Sequence, residues 1–214
     1  MNLQLDQFSW IPELERRTQE IVQEWRRLPK GLVMPWPQPG REFMRAIMIS
    51  FHGQHSPVAK LCPTLMSSAA RIPRLRSLTI QTMEPGAYLA PHRGATSGIC
   101  RIHLGLDVPE GNWIQVEGKK TFFQTGKCFV FDDRQVHEVK NESTRPRTNL
   151  IIDCWAPWNV PGERVERVKH RLAHKLGVKR SEMVNFFPRV LDHVADFRKE
   201  NPGVFRELSR LPQA

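Results

Sequence analysis

His92 and His137 are the two side chains of this sequence whose type and spacing suit a metal site. His92 follows a Pro-Gly turn in Glu84-Pro85-Gly86-Ala87-Tyr88-Leu89-Ala90-Pro91-His92, and His137 opens the run His137-Glu138-Val139. They stand 45 residues apart, a separation that lets a chain leave a barrel-type sheet and return on a facing strand. Imidazole nitrogens suit iron, copper, nickel or zinc, and two histidines from opposite strands converge only inside the mouth of a jelly roll. Arg101 and His103 are two apart and share one face of a strand, while Ile102, Leu104 and Leu106 share the other. A polar pair opposed to an apolar row reads as a pocket lining. Arg147 begins a further β-type run; an arginine fork there grips a carboxylate bidentately, which a lysine does less specifically. One histidine in a β protein is structural more often than it is a ligand, and one arginine at a strand end is usually a surface charge. The conjunction of two metal-type imidazoles with two arginines suited to a dicarboxylate is what points to a site.

The elements that would position these residues lie between 77 and 155, where short β-type runs alternate with turn residues. The runs are 77–83, 98–106, 112–117, 119–124, 127–132, 136–140 and 148–155, with turns at Pro85-Gly86, Pro109-Glu110-Gly111, Gly118 and Gly126. Short strands at this spacing argue for an antiparallel sandwich or barrel. Upstream, residues 11–28 have helical spacing, with Ile11, Leu14, Ile21 and Trp25 on one face. The segment 31–40 holds three prolines and two glycines and reads as a loop; 43–51 reads as a strand and 52–76 as loop with one short helix. After Pro157 the pattern turns helical again, over 161–176, 181–199 and a short final stretch near 203–210.

Residues 84–157 resemble the aspartyl/asparaginyl β-hydroxylase family of 2-oxoglutarate oxygenases. The resemblance rests on EPGAYLAPHRGATSGICRIHLGL, then GKCFVFDDRQVHEVKNESTRPR, then LIIDCWAP. These segments carry the family's Pro-Gly turn before Pro-His, its Arg-x-His-Leu-Gly-Leu, its Phe-Asp-Asp before His-Glu-Val, an arginine ten residues on, and Asp-x-Trp-x-Pro. The resemblance implies a mainly β fold, a double-stranded β-helix (jelly roll, cupin-like) with N-terminal and C-terminal α-helical additions. It implies that His92 and His137 hold Fe(II), that Arg147 holds the distal carboxylate of 2-oxoglutarate, and that Arg101, His103 and Met83 lie around the co-substrates. O2 would be the oxidant, and succinate and CO2 the by-products. In the wider superfamily a carboxylate ligand stands two residues after the first histidine. Here Gly94 stands there, as in the animal members, with water filling the position. Asp132 and Asp133 read as residues that order the turn before His137, and Asp153 and Trp155 as supports of the fold.

The division expected is a jelly-roll oxygenase domain with an N-terminal helix over 1–160, and a helical extension over 161–214 packed on it. No apolar stretch approaches the roughly 20 residues of a membrane-spanning helix, and Met1–Asp6 lacks the pattern of a secretory leader, so a cytoplasmic location is expected. The four cysteines, Cys62, Cys100, Cys128 and Cys154, form no CxxC and read as small buried hydrophobes. A net charge of +10 favours acidic partners, but no Lys/Arg block interleaved with aromatics is present, so nucleic acid is not expected. The expected partner is an amino-acid or peptide substrate, an Asp or Asn residue or a free or carrier-bound amino acid. A non-catalytic jelly-roll binding module and a lipid acyl-chain hydroxylase are the alternatives. The basic helices over 161–199 read as solvated faces, with a homodimer interface or contact with an acidic carrier as alternatives. His170 and His174, four apart, lack the rest of a His-Glu-x-x-His motif; His52 and His55 read as loop residues, and Trp36 as packing or as a cover of the site.

Overall fold

The structure, a computed structural model, describes residues 3–36, 38–94, 96, 98–156, 164, 165, 168 and 182–208. Its strands are β1 (Met34–Pro35), β2 (Met44–Phe51), β3 (Gln54–His55), β4 (Leu75–Met83), β5 (Tyr88–His92), β6 (Ile99–Asp107), β7 (Asn112–Val116), β8 (Lys119–Phe122), β9 (Cys128–Asp132), β10 (His137–Asn141) and β11 (Arg147–Trp155). One sheet runs β1-β2-β4-β11-β6-β9, with β3 on β2; the other runs β5-β10-β7-β8. The pairs β4/β11, β5/β10, β6/β9 and β7/β8 are all antiparallel. They nest like the two sides of one long hairpin. Cross-pairing of β11 with β6 and of β10 with β7 rolls that hairpin up, which is a double-stranded β-helix.

The pleat sorts the side chains. On β6, Ile102, Leu104 and Leu106 join the larger apolar cluster, together with Leu150, Ile152 and Cys154 of β11 and Leu78 and Ile80 of β4. Their alternates, Arg101, His103, Arg147, Ile151, Asp153, Ser77, Thr79, Gln81 and Met83, face a cavity between the sheets. Every residue of β11 is buried because the strand is central and covered on both faces.

Helices cover the outer face of the larger sheet. The continuous helix expected over 11–28 is two, Ile11–Arg16 and Thr18–Arg27, divided at Arg17. There the Thr18 hydroxyl donates to Glu15 O at 2.7 Å, a side-chain bond that competes with the helical ladder. The stretch 52–76 holds β3, a 3-10 turn Pro57–Leu61 and a helix Pro63–Ala69. β5 was not expected as a strand. It lies at the edge of its sheet and pairs only with β10, the setting in which Pro91 is tolerated. The helix Glu182–Glu200 matches the expected 181–199 and is followed by Pro202–Leu208. Phe187, Val190 and Val194 are buried in the larger cluster. Phe187 lies 5.9 Å from Phe51, and His193 Nε2 donates to Gly31 O at 2.6 Å. The helix expected over 161–176 lies outside the described residues, apart from helical 164, 165 and 168.

Glu24 ties two helices together. Only 8% exposed, it accepts from Thr64 N at 2.5 Å and from Leu65 N at 3.0 Å, which satisfies orphan donors at the start of the helix Pro63–Ala69. Glu24→Ala leaves those buried N–H groups unpaired and is expected to cost about 2–3 kcal/mol. Glu24→Gln, which keeps one acceptor, is expected to cost less. Urea unfolding of the two variants checks the order.

Candidate active site

Strand register sets out the cavity floor as rows across the larger sheet. Phe51, Ser77, Asp153 and Arg101 lie side by side, then Met48, Thr79, Ile151 and His103, then Ala46, Gln81, Asn149 and Gly105, and last Met44, Met83 and Arg147. The facing sheet supplies His92 and His137, directly opposite each other on β5 and β10. The six residues singled out in the sequence, His92, His137, Arg101, His103, Arg147 and Met83, all line this one cavity.

The imidazoles of His92 and His137 lie 4.1 Å apart, centroid to centroid. His92 Nδ1 is 2.9 Å from Ala90 O, and His137 Nδ1 is 2.9 Å from Gln135 O. A carbonyl can only accept, so each Nδ1 carries the hydrogen and each Nε2 keeps its lone pair. Burial and then the neighbouring imidazole push the His92 pKa down to about 4, and burial lowers that of His137. Both rings are therefore neutral at pH 7. Two neutral imidazoles with fixed tautomers and free Nε2 atoms fit a transition-metal ion. No cluster of three or more His, Cys, Asp or Glu forms a fuller ligand set among the described residues.

A carboxylate nevertheless stands beside them. Asp132 does order the turn, its Oδ1 accepting from Arg134 N at 2.9 Å, but Asp133 turns inward and is 4% exposed. Its Oδ1 lies 2.6 Å from Arg101 Nη1 and 3.9 Å from His137 Nε2. Gly94 makes room for it: a side chain at 94 would fall on the Asp133 carboxylate and within 2.8 Å of the Asp133 carbonyl. Burial raises the Asp133 pKa, and Arg101 opposes the rise. Arg101 also binds Asp153, Nε to Oδ1 at 2.8 Å and Nη2 to Oδ2 at 2.9 Å. Desolvation works against its charge, but Asp153 and Asp133 outweigh that and hold its pKa above the usual arginine value. Its fork thus bridges two carboxylates.

Arg147 is the opposite case. It is 1% exposed, its Nε and Nη1 have no hydrogen-bond partner among the described residues, and its guanidinium lies 4.8 Å from the centre of the Phe123 ring. Burial without a counter-ion pushes its pKa down to about 9, which still leaves it charged at neutral pH. His103 stacks on the same ring at 5.3 Å. Asn149 Nδ2 lies 3.3 Å from His103 Nδ1, which assigns the proton to Nε2 of a neutral ring. Desolvation, then Arg147, hold its pKa well below the ordinary value.

Strand alternation around the expected run 77–83 would have marked Ser77, Thr79 and Gln81 as cavity residues, by the reasoning applied to Arg101 and His103. Arg41, on the proline-rich loop, had no such signal. It lines the cavity beside Trp36, and desolvation followed by the charge of Arg101 lowers its pKa. His52 packs edge-on to Phe51 at 4.4 Å, His55 is exposed on β3, and the four cysteines are buried and free. His170 and His174 lie outside the described residues.

Fold and site together define a double-stranded β-helix with two facing imidazoles between its sheets and a buried guanidinium on the opposite wall. The chain belongs to the aspartyl/asparaginyl beta-hydroxylase family, whose model matches residues 12–157. It is 36% identical over 117 residues to an ornithine lipid ester-linked acyl 2-hydroxylase of Rhizobium tropici, covering 53% of this chain and 42% of that one. It is 37% identical over 83 residues to the Homo sapiens aspartyl/asparaginyl beta-hydroxylase, covering 38% of this chain and 11% of that one. The chain thus spans less than half the length of these relatives. Among solved structures, a Cupin_2 domain of an XRE family transcriptional regulator from Enterobacter cloacae superposes with a TM-score of 0.38 at 12% identity, over 53% of this chain and 97% of that one. Among the described residues, no helix is long and apolar enough to cross a membrane.

Proposed function

We propose that this chain is an Fe(II)- and 2-oxoglutarate-dependent hydroxylase that acts on an unactivated carbon of an amino-acid-type substrate. The observation that carries the reading is the pairing of two imidazoles with free Nε2 atoms and a buried guanidinium without a counter-ion among the described residues, all on one cavity. His92 and His137 would hold iron through Nε2. Iron bound there would supply the activation of O2 that couples oxidation of 2-oxoglutarate to succinate and CO2 with hydroxylation of the substrate.

The protein's own groups do the rest. Arg147 binds the distal carboxylate, the counter-ion its burial calls for. His103 offers Nε2–H as a donor, and Met83 packs the wall. Asp133 supplies negative charge beside the imidazoles where Gly94 cannot, and Arg101 and Asp153 hold it in position. Phe123 packs on the His103 ring and Phe131 on the His137 ring, which fixes both imidazoles. Arg41 has no ion pair among the described residues and is placed to meet an anionic group on the substrate. A second reading, hydroxylation of a lipid acyl chain, draws support from the name of the Rhizobium tropici relative and from the apolar lining by Met44, Met48, Phe51 and Ile151.

The test is anaerobic titration of the protein with Fe(II) and 2-oxoglutarate, following the weak visible charge-transfer band of the chelate. A band in the wild type that disappears in His92→Ala and in His137→Ala is the expected result. A folded wild type that gives no band at saturation rejects the proposal. Succinate release with aspartyl and asparaginyl peptides, free amino acids and acyl lipids then separates the substrate readings.

A further inference from the structure

A second cleft lies beside the β2–β3 hairpin. It is lined by His55, Lys60, Arg198 and Arg206, with Phe205 and Pro57 among its apolar residues. The cations Lys60, Arg198 and Arg206 come from three separate elements: the 3-10 turn Pro57–Leu61, the helix Glu182–Glu200 and the helix Pro202–Leu208. Among the described residues, no acidic side chain lines the cleft. Lys60, Arg198 and Arg206 have no ion pair among the described residues, although Arg198 lies 6.0 Å from the centre of the Phe205 ring. Cations gathered in a concave site repel one another unless an anion joins them, and such a site concentrates anions from solution.

We infer that this cleft binds a phosphate group. Three cations exceed what one carboxylate needs, and two guanidinium forks with an ammonium, all three exposed to solvent, match the several oxygens of a phosphate. At about 680 Å³ the cleft also has room for the organic body of a phosphate ester. Its place in the fold gives the site a use. His55 follows Phe51 by four residues, and Phe51 shares the row of Arg101 and Asp153, the end of the sheet where Asp133 and the imidazoles stand. A phosphate held here brings its bearer to the end of the barrel that carries the site. The inference does not depend on the hydroxylase reading, and its test needs no turnover.

Two probes distinguish the source of the phosphate: inorganic phosphate, followed by calorimetry, and phosphatidylcholine vesicles doped with phosphatidylglycerol, followed by co-sedimentation. The full chain is compared with Lys60→Glu/Arg206→Glu and with Lys119→Glu/Lys120→Glu, which makes the same change of net charge on β8. A loss of about tenfold or more in the cleft variant, with the β8 variant near wild type, is the expected result. Loss with inorganic phosphate alone assigns a soluble phosphate ester, and loss with vesicles assigns a lipid phosphate. Equal losses in both variants, or no binding of either probe by the wild type, overturn the proposal. Circular dichroism of the cleft variant confirms that its helices remain.

Discussion

Arg147→Met is expected to leave the ligand-free protein as stable as the wild type or more so, while weakening 2-oxoglutarate binding by about a hundredfold or more. The two effects have opposite signs because the wild-type fold carries a buried cation, 1% exposed, whose Nε and Nη1 have no hydrogen-bond partner among the described residues. A methionine fills similar volume with no charge to desolvate, and such replacements of buried charge are commonly neutral or stabilising by about 1–4 kcal/mol. Binding suffers because a buried carboxylate would then lose its charged partner, a change that typically costs about 2–5 kcal/mol. Arg147→Lys keeps the charge but loses the fork, and intermediate affinity is expected. Urea unfolding of the ligand-free variants gives the stability arm, and 2-oxoglutarate titration of the Fe(II)-loaded protein gives the binding arm. A methionine variant that unfolds easily, or that binds 2-oxoglutarate like the wild type, would show that Arg147 is structural.

Gly94→Ala should be among the most damaging small substitutions in the chain. The added methyl would land on the Asp133 carboxylate, and the backbone cannot withdraw freely because Gly94 N donates to Asp133 O at 2.6 Å. Moving the carboxylate breaks its ion pair with Arg101 and leaves buried charge out of register. Overpacking alone costs about 1–3 kcal/mol, and a broken buried pair about 3–5 kcal/mol. A loss of about 3 kcal/mol or more in urea unfolding is expected, with weaker Fe(II) binding. Asp133→Ala removes what the methyl strikes. The double variant Gly94→Ala/Asp133→Ala should therefore be more stable than the sum of the single effects by at least about 1 kcal/mol, a coupling that independent sites do not show. Strict additivity would mean that the inward carboxylate and the glycine are unrelated.

Much of this architecture was legible in local pattern. Alternation separated Arg101 and His103 from Ile102, Leu104 and Leu106, and the structure places them on opposite faces of β6. The β-type runs from 77 to 155 correspond to strands within one residue at each end, apart from β8, which stops two residues early at Phe122, and β4, which begins two residues early at Leu75. β5 was missed because YLAPH has neither alternation nor β-branched residues, and its pairing to β10 is what makes it a strand. The break at Arg17 was also missed, since helical spacing continues on both sides of it.

Residue type and alternation by themselves determined that this chain makes a β barrel-type fold, that His92 and His137 are suited to a metal, and that Arg101 and His103 look into a pocket. These are properties of a residue and its near neighbours, so one sequence contains them. Tertiary structure alone decided that each histidine points Nε2 inward, that Arg147 lacks a counter-ion among the described residues while Arg101 holds two, and that Asp133 occupies the space Gly94 leaves. Each of these depends on segments far apart in the chain meeting at a given distance, as Asp133 meets a glycine 39 residues earlier. Burial and charge pairing follow from that meeting, because the field at a side chain is set by what the fold brings beside it.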